Sequence, residues 1–135
     1  MRIGRVLAVW ALFLLAMIVQ GAAREGLLAP LLGELRAHQA SSVTAALILI
    51  LGSAWALRWL GAIGDVPLQL RIGALWLALT VAFELGFGHF VLGQPWSRLL
   101  ADYDLGAGRL FPLVLAATAF GPFVAGRFVG PRPPP

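Results

Sequence analysis

The stretch LRIGALWLALTVAFELGFGHFVL, residues 70–92, decides how the whole chain is read. It is long enough to cross a hydrocarbon core, which needs roughly 20 apolar helical residues. Within it stands one acid, Glu84, among leucine, alanine, valine and phenylalanine. Three further segments have the same character, at about 3–22, 43–60 and 110–129. None alternates polar and apolar residues as the strands of an outer-membrane barrel do, so the backbone is satisfied only by helices. The expected fold is all-α: a polytopic membrane protein, a bundle of four transmembrane helices.

Composition agrees with this reading. Of 135 residues, 60% are hydrophobic and only 12% charged, about half the charged fraction of an ordinary soluble domain. Too few polar residues are present to cover a water-soluble globule. All ten basic residues are arginine and there is no cysteine, which removes disulfides and thiolate metal sites. The net charge of +4 is spread as single arginines flanking apolar segments, not as the basic patch that nucleic acid demands.

Four spans place both termini on one side. Arg2, Arg5, Arg58, Arg71, Arg127 and Arg132 then share that side, and Arg24, Arg36, Arg98 and Arg109 lie opposite. The excess favours cytoplasmic termini and a bacterial inner-membrane location. Residues 2–24 also resemble a secretory signal, with Arg2 and Arg5 before an apolar run and GAA after it. The run is long enough to span, so it is read as retained.

The loops on the outer side, opposite the termini, carry their own patterns. In REGLLAPLLGELRAH, 24–38, leucines recur at helical spacing, which predicts a short helix lying along the interface. In GQPWSRLLADYDLGAGR, 93–109, Pro95 opens a second such helix, Arg98 and Asp102 stand four apart, and Trp96 and Tyr103 share one face at headgroup level. The chain reads as one membrane domain over 1–130, with a disordered proline-rich tail at 131–135.

Glu84 is the residue that asks for chemistry. An ionised carboxylate in hydrocarbon costs at least a few kcal/mol, and it is relieved by a proton or by a cationic partner. Arg24 and Arg109, at the outer ends of the first and fourth spans, are the available cations, and arginine meets a carboxylate with two hydrogen bonds. The expected site is an outer-side polar cluster of Glu84, Arg24 and Arg109, joined by Gln20, Glu25 and His89. His89 stands about 140° around a regular helix from Glu84, so it joins only if Gly86 and Gly88 interrupt that helix. His38 falls in the loop on this reading.

Gly86 and Gly88 with Ala78 and Ala82, and Gly52 with Ala56, are spaced for close helix packing. Gly121-Pro122 should kink the last span by freeing the carbonyl of Thr118. No metal motif, cofactor fingerprint, phosphate loop or nucleophile–base pair is present.

The combination of Arg24-Glu25, Phe83-Glu84, Gly88-His89, Pro95-Trp96, Asp102-Tyr103 and Gly108-Arg109 resembles a group of small four-span bacterial membrane proteins without an established activity. The resemblance covers most of the chain. Asp104 departs from it, since the group carries asparagine there. It implies the architecture and adds nothing on chemistry. Two readings of function follow: a structural or accessory subunit organised by a buried ion pair, or a small proton-coupled carrier working as a dimer. Enzymatic action of Glu84 or His89 on a lipid ranks below both. The expected partners are the bilayer, a second copy and a larger membrane complex.

Overall fold

The computed structural model describes every residue except 102, 105, 107, 109 and 130–135. The described residues are helical, with no strand. Helix α1 (Ile3–Ala23) passes through a widened π-type turn at Arg24–Leu28 into the short α2 (Ala29–Leu32). Gly33, with φ +86°, reverses the chain, and α3 (Glu34–Leu60) descends beside α1. A tight connection leads to α4 (Val66–Gly86), which continues through a second π-type turn at Phe87–Val91. The short α5 (Trp96–Ala101) and then α6 (Phe111–Gly126) complete the chain.

Local chemistry accounts for the inner turn between α3 and α4. Gly61 takes the left-handed conformation (φ +69°), and the Ala62 amide donates to the Leu57 carbonyl, closing α3 with a six-to-one bond. The Asp65 carboxylate then accepts from the Leu68 amide at 3.1 Å and caps α4, with a proline in its first turn.

Three helical stretches, Ile3–Leu32, Glu34–Leu60 and Val66–Val91, are long and apolar enough to cross a membrane; the apolar α6 is shorter, at 16 residues. Large apolar side chains are exposed around the bundle, among them Leu15, Val19, Leu51, Trp55 and Phe90. Such an exterior suits a membrane protein, whose outer surface is apolar.

The fold differs from the sequence expectations in several places. Residues 34–38 belong to no interfacial helix; they form the first turns of α3, which starts well ahead of position 43. His38 is therefore a buried helix residue, not a loop residue. Pro122 lies inside α6, as the sequence places it, and the Thr118 hydroxyl donates back to the Val114 carbonyl at 2.8 Å. The small residues of α4 also fall differently. Ala78 and Ala82 are exposed and Gly86 has open space beside it, whereas Gly73 takes the close contact, under the Ala119 carbonyl of α6. Gly52 packs against the Phe13 ring, and Ala56 is fully buried. The proline-rich tail lies outside the described residues.

The helices meet in a defined register. Trp10 donates from Nε1 to the Thr80 hydroxyl (3.1 Å), and Trp76 donates from Nε1 to the Val6 carbonyl (3.0 Å). Both bonds join residues 70 apart, so α1 and α4 run parallel. α6 packs closely against α3 and α4, while α1 makes fewer close approaches. The inner half is dense: Val6, Val9, Leu57, Leu60, Ile72 and Trp76 are all at most 1% exposed. Phe13 meets Trp76 edge-on at 5.2 Å between ring centroids.

Candidate functional site

Above that dense half, toward the outer loops, the four long helices part around a cavity of about 230 Å³. Its apolar wall comes from Trp10, Phe13, Leu14 and Met17 of α1, Leu49 of α3, and Phe111 and Val114 of α6. Its polar wall is longer than the sequence suggested, and includes Gln20, Arg24, Glu25, Glu34, His38, Ser41, Ser42, Thr80, Glu84, Arg98 and Thr118.

Glu84 lines this cavity and is exposed to it. The register fixes its height. With Trp10 beside Thr80, Leu14 is level with Glu84, and Arg24 lies about ten residues, or roughly 15 Å, further out. Arg24 meets its own neighbour: its Nε stands 3.5 Å from Glu25 Oε1. Glu25 is 73% exposed, so this is a rim pair of small energetic weight. Gln20, between the two levels, donates from Nε2 to the Ser41 carbonyl at 2.7 Å, tying α1 to α3. Glu84, Arg24, Glu25 and Gln20 thus share one cavity at three depths.

His89 takes a different place. The π-type turn at Phe87–Val91 does interrupt the helix, but His89 stacks on Trp96, with ring centroids 3.8 Å apart and planes 16° from parallel. Its Nδ1 lies 2.9 Å from the Gln94 carbonyl, and it is not among the cavity-lining residues. This stack, together with Gly88 against Leu99, docks α5 on the end of α4 and carries Arg98 to the cavity. Tyr103 meets Phe111 edge-on at 5.2 Å, separate from Trp96. Arg109 and Asp102, and with Asp102 its pairing with Arg98, lie outside the described residues.

The polar wall residues absent from the expected cluster are Glu34, His38, Ser41, Ser42, Thr80, Arg98 and Thr118. A signal for the first four exists: Glu34, His38, Ser41, Ser42 and Ala45 recur at helical spacing, a polar and small face running into an apolar helix. Among the described residues no group of three or more metal-ligating side chains comes together.

Compared with protein-family models, curated proteins and solved structures, the chain matches none of them. Any account of its action therefore rests on the cavity itself.

Proposed function

We propose that this chain is a multi-pass protein of the bacterial inner membrane, crossing four times with both termini in the cytoplasm, and that it acts as a small proton-coupled carrier with Glu84 as the proton-binding residue. One observation carries the reading: Glu84 is exposed and lines a cavity between the helices. A carboxylate facing a cavity, whatever else it touches, can exchange protons and meet solutes. The fourth crossing falls to α6, about 24 Å long at 1.5 Å per residue, a mismatch that local thinning of the bilayer accommodates. The likeness to small four-span bacterial proteins, through Phe83-Glu84 and Gly88-His89, belongs to the same reading.

A partner is part of the proposal. Ala74, Ala78 and Ala82 form an exposed small-residue face on α4 that no other part of the described chain covers, a surface suited to a second copy or to a subunit of a larger complex. This observation also supports the accessory-subunit reading.

Proteoliposomes carrying a pH gradient separate the two. Panels of small cations, anions and neutral solutes are added while a trapped dye reports internal pH. The carrier reading expects solute-dependent proton movement in the native protein and none in Glu84→Gln, with the variant still monodisperse in detergent. Loss of assembly in the variant, with no proton movement in the native protein for any solute, replaces the carrier by the accessory subunit.

A further inference from the structure

Resting on that reading but testable without any substrate, we infer that the cavity is a water-filled proton well: it admits protons to Glu84 from the outer face only and is closed toward the inner face by a dry aromatic plug.

The polar groups are stacked in depth. Along α4 Thr80 is the lowest polar group lining the cavity, Glu84 is one turn above it, and Ser41 is level with Gln20 roughly two turns above Glu84. His38 follows one turn nearer the rim, where Arg24 and Glu25 meet. A volume of about 230 Å³ is far above the roughly 15 Å³ that one water requires, and each level offers it polar partners. Water in such a shaft bridges groups that stand a turn or two apart.

Below Thr80 the character changes. The Thr80 hydroxyl already accepts from the Trp10 indole, and the Trp76 indole donates to the Val6 carbonyl, so the polar ends of both rings are used within the plug. Gly73 lies under the Ala119 carbonyl with no room for a Cβ. Going down α4 from Thr80, the next charged or amide side chains are Arg71, which is exposed, and Gln69, buried eleven residues or roughly 16 Å away, whose Nε2 donates to the Ala62 carbonyl. Gln69 borders a separate shallow hollow at the inner end, with Phe123, Gly126 and Arg127. Of these two openings among the described residues, the outer one reaches Glu84 and the inner one does not.

A proton that arrives as hydronium leaves water behind and converts the Glu84 carboxylate to the neutral acid. Among the described residues, the other charged or titratable groups facing the shaft are Arg24 and Glu25 from the end of α1, Glu34 and His38 from α3, and Arg98 from α5; the described residues of α6 contribute none. Protonation of Glu84 is therefore read against a rim carrying both signs of charge.

The chain has no cysteine, so each single substitution creates a unique thiol. Ser42→Cys and Ala45→Cys, on the cavity wall, are compared with Ala56→Cys in the dense half and Leu47→Cys on the outer surface of the bundle. The full chain is placed in lipid nanodiscs, where both faces are reachable, and treated with a charged, membrane-impermeant methanethiosulfonate. Intact mass gives the rates. The two cavity thiols should react at least tenfold faster than the other two. A bulky reagent on Ser42→Cys should then slow modification of Glu84 by a water-soluble carbodiimide tenfold or more, with peptide mass as readout, and dithiothreitol should restore it. Slow labelling of both cavity thiols, or carbodiimide access unchanged by the plugged Ser42→Cys, overturns the well whatever the liposome assay shows. Fast, blockable access with no solute-dependent proton movement leaves the well standing and removes the carrier.

Discussion

The two halves of this bundle are built from the same helices and solve opposite problems. In the inner half, Trp76, Leu57, Leu60 and Val6 fill the space between helices, and Gly73 lets α4 and α6 touch backbone to backbone. In the outer half the same helices stand apart around Glu84, Thr118 and the serines of α3. The difference teaches where stability and chemistry are separated: packing sets the register from below, and the register then holds a carboxylate in a space that packing leaves open.

Substitutions in the two halves should therefore behave differently. Trp76→Ala removes the largest fully buried side chain and its bond to the Val6 carbonyl, and should cost about 4 kcal/mol in reversible unfolding from mixed micelles. Gly73→Ala forces a methyl into the Ala119 carbonyl and should cost about 3 kcal/mol by the same measurement. If either is tolerated within experimental error, the inner half is not the rigid element. Trp10→Phe keeps the ring beside Phe83 and loses only the bond to Thr80; a loss of about 1 kcal/mol is expected. Ser42→Ala and Glu84→Gln, facing the cavity, should each change unfolding by less than about 0.5 kcal/mol. A large loss in Glu84→Gln would erase the contrast between the halves and return Glu84 to a structural role.

Much of the architecture could be read from the chain because lipid-facing helices announce themselves by length and apolar run. The acid was equally plain, since a single carboxylate in such a run has no bland surroundings to hide in. What the sequence concealed was the polar, cavity-lining side of α3. A hydropathy average treats His38, Gln39, Ser41 and Ser42 as the end of a span, because it sums around the helix and cannot tell a polar stripe facing a cavity from a polar loop. The small residues misled for a related reason. Ala78 and Ala82 have the spacing of a packing face, yet Gly73, outside that pattern, carries the close approach, because spacing gives a face without saying which neighbour covers it. Of the two arginines expected beside Glu84, Arg24 lies nearer the rim and Arg109 falls outside the described residues. Only the paired indole bonds to Thr80 and Val6 supplied a ruler along the axis.

The parallel pairing of α1 with α4 also bears on how the chain is made. Parallel neighbours cannot be joined by a short turn, and here the whole of α3 intervenes. As the polypeptide leaves the ribosome, the segment bearing Gln20 and the one bearing Ser41 enter the bilayer before the segment bearing Glu84. The acid thus meets hydroxyls and amides already in residence, and its passage from the insertion machinery into lipid is eased by the earlier arrivals that will later form its walls.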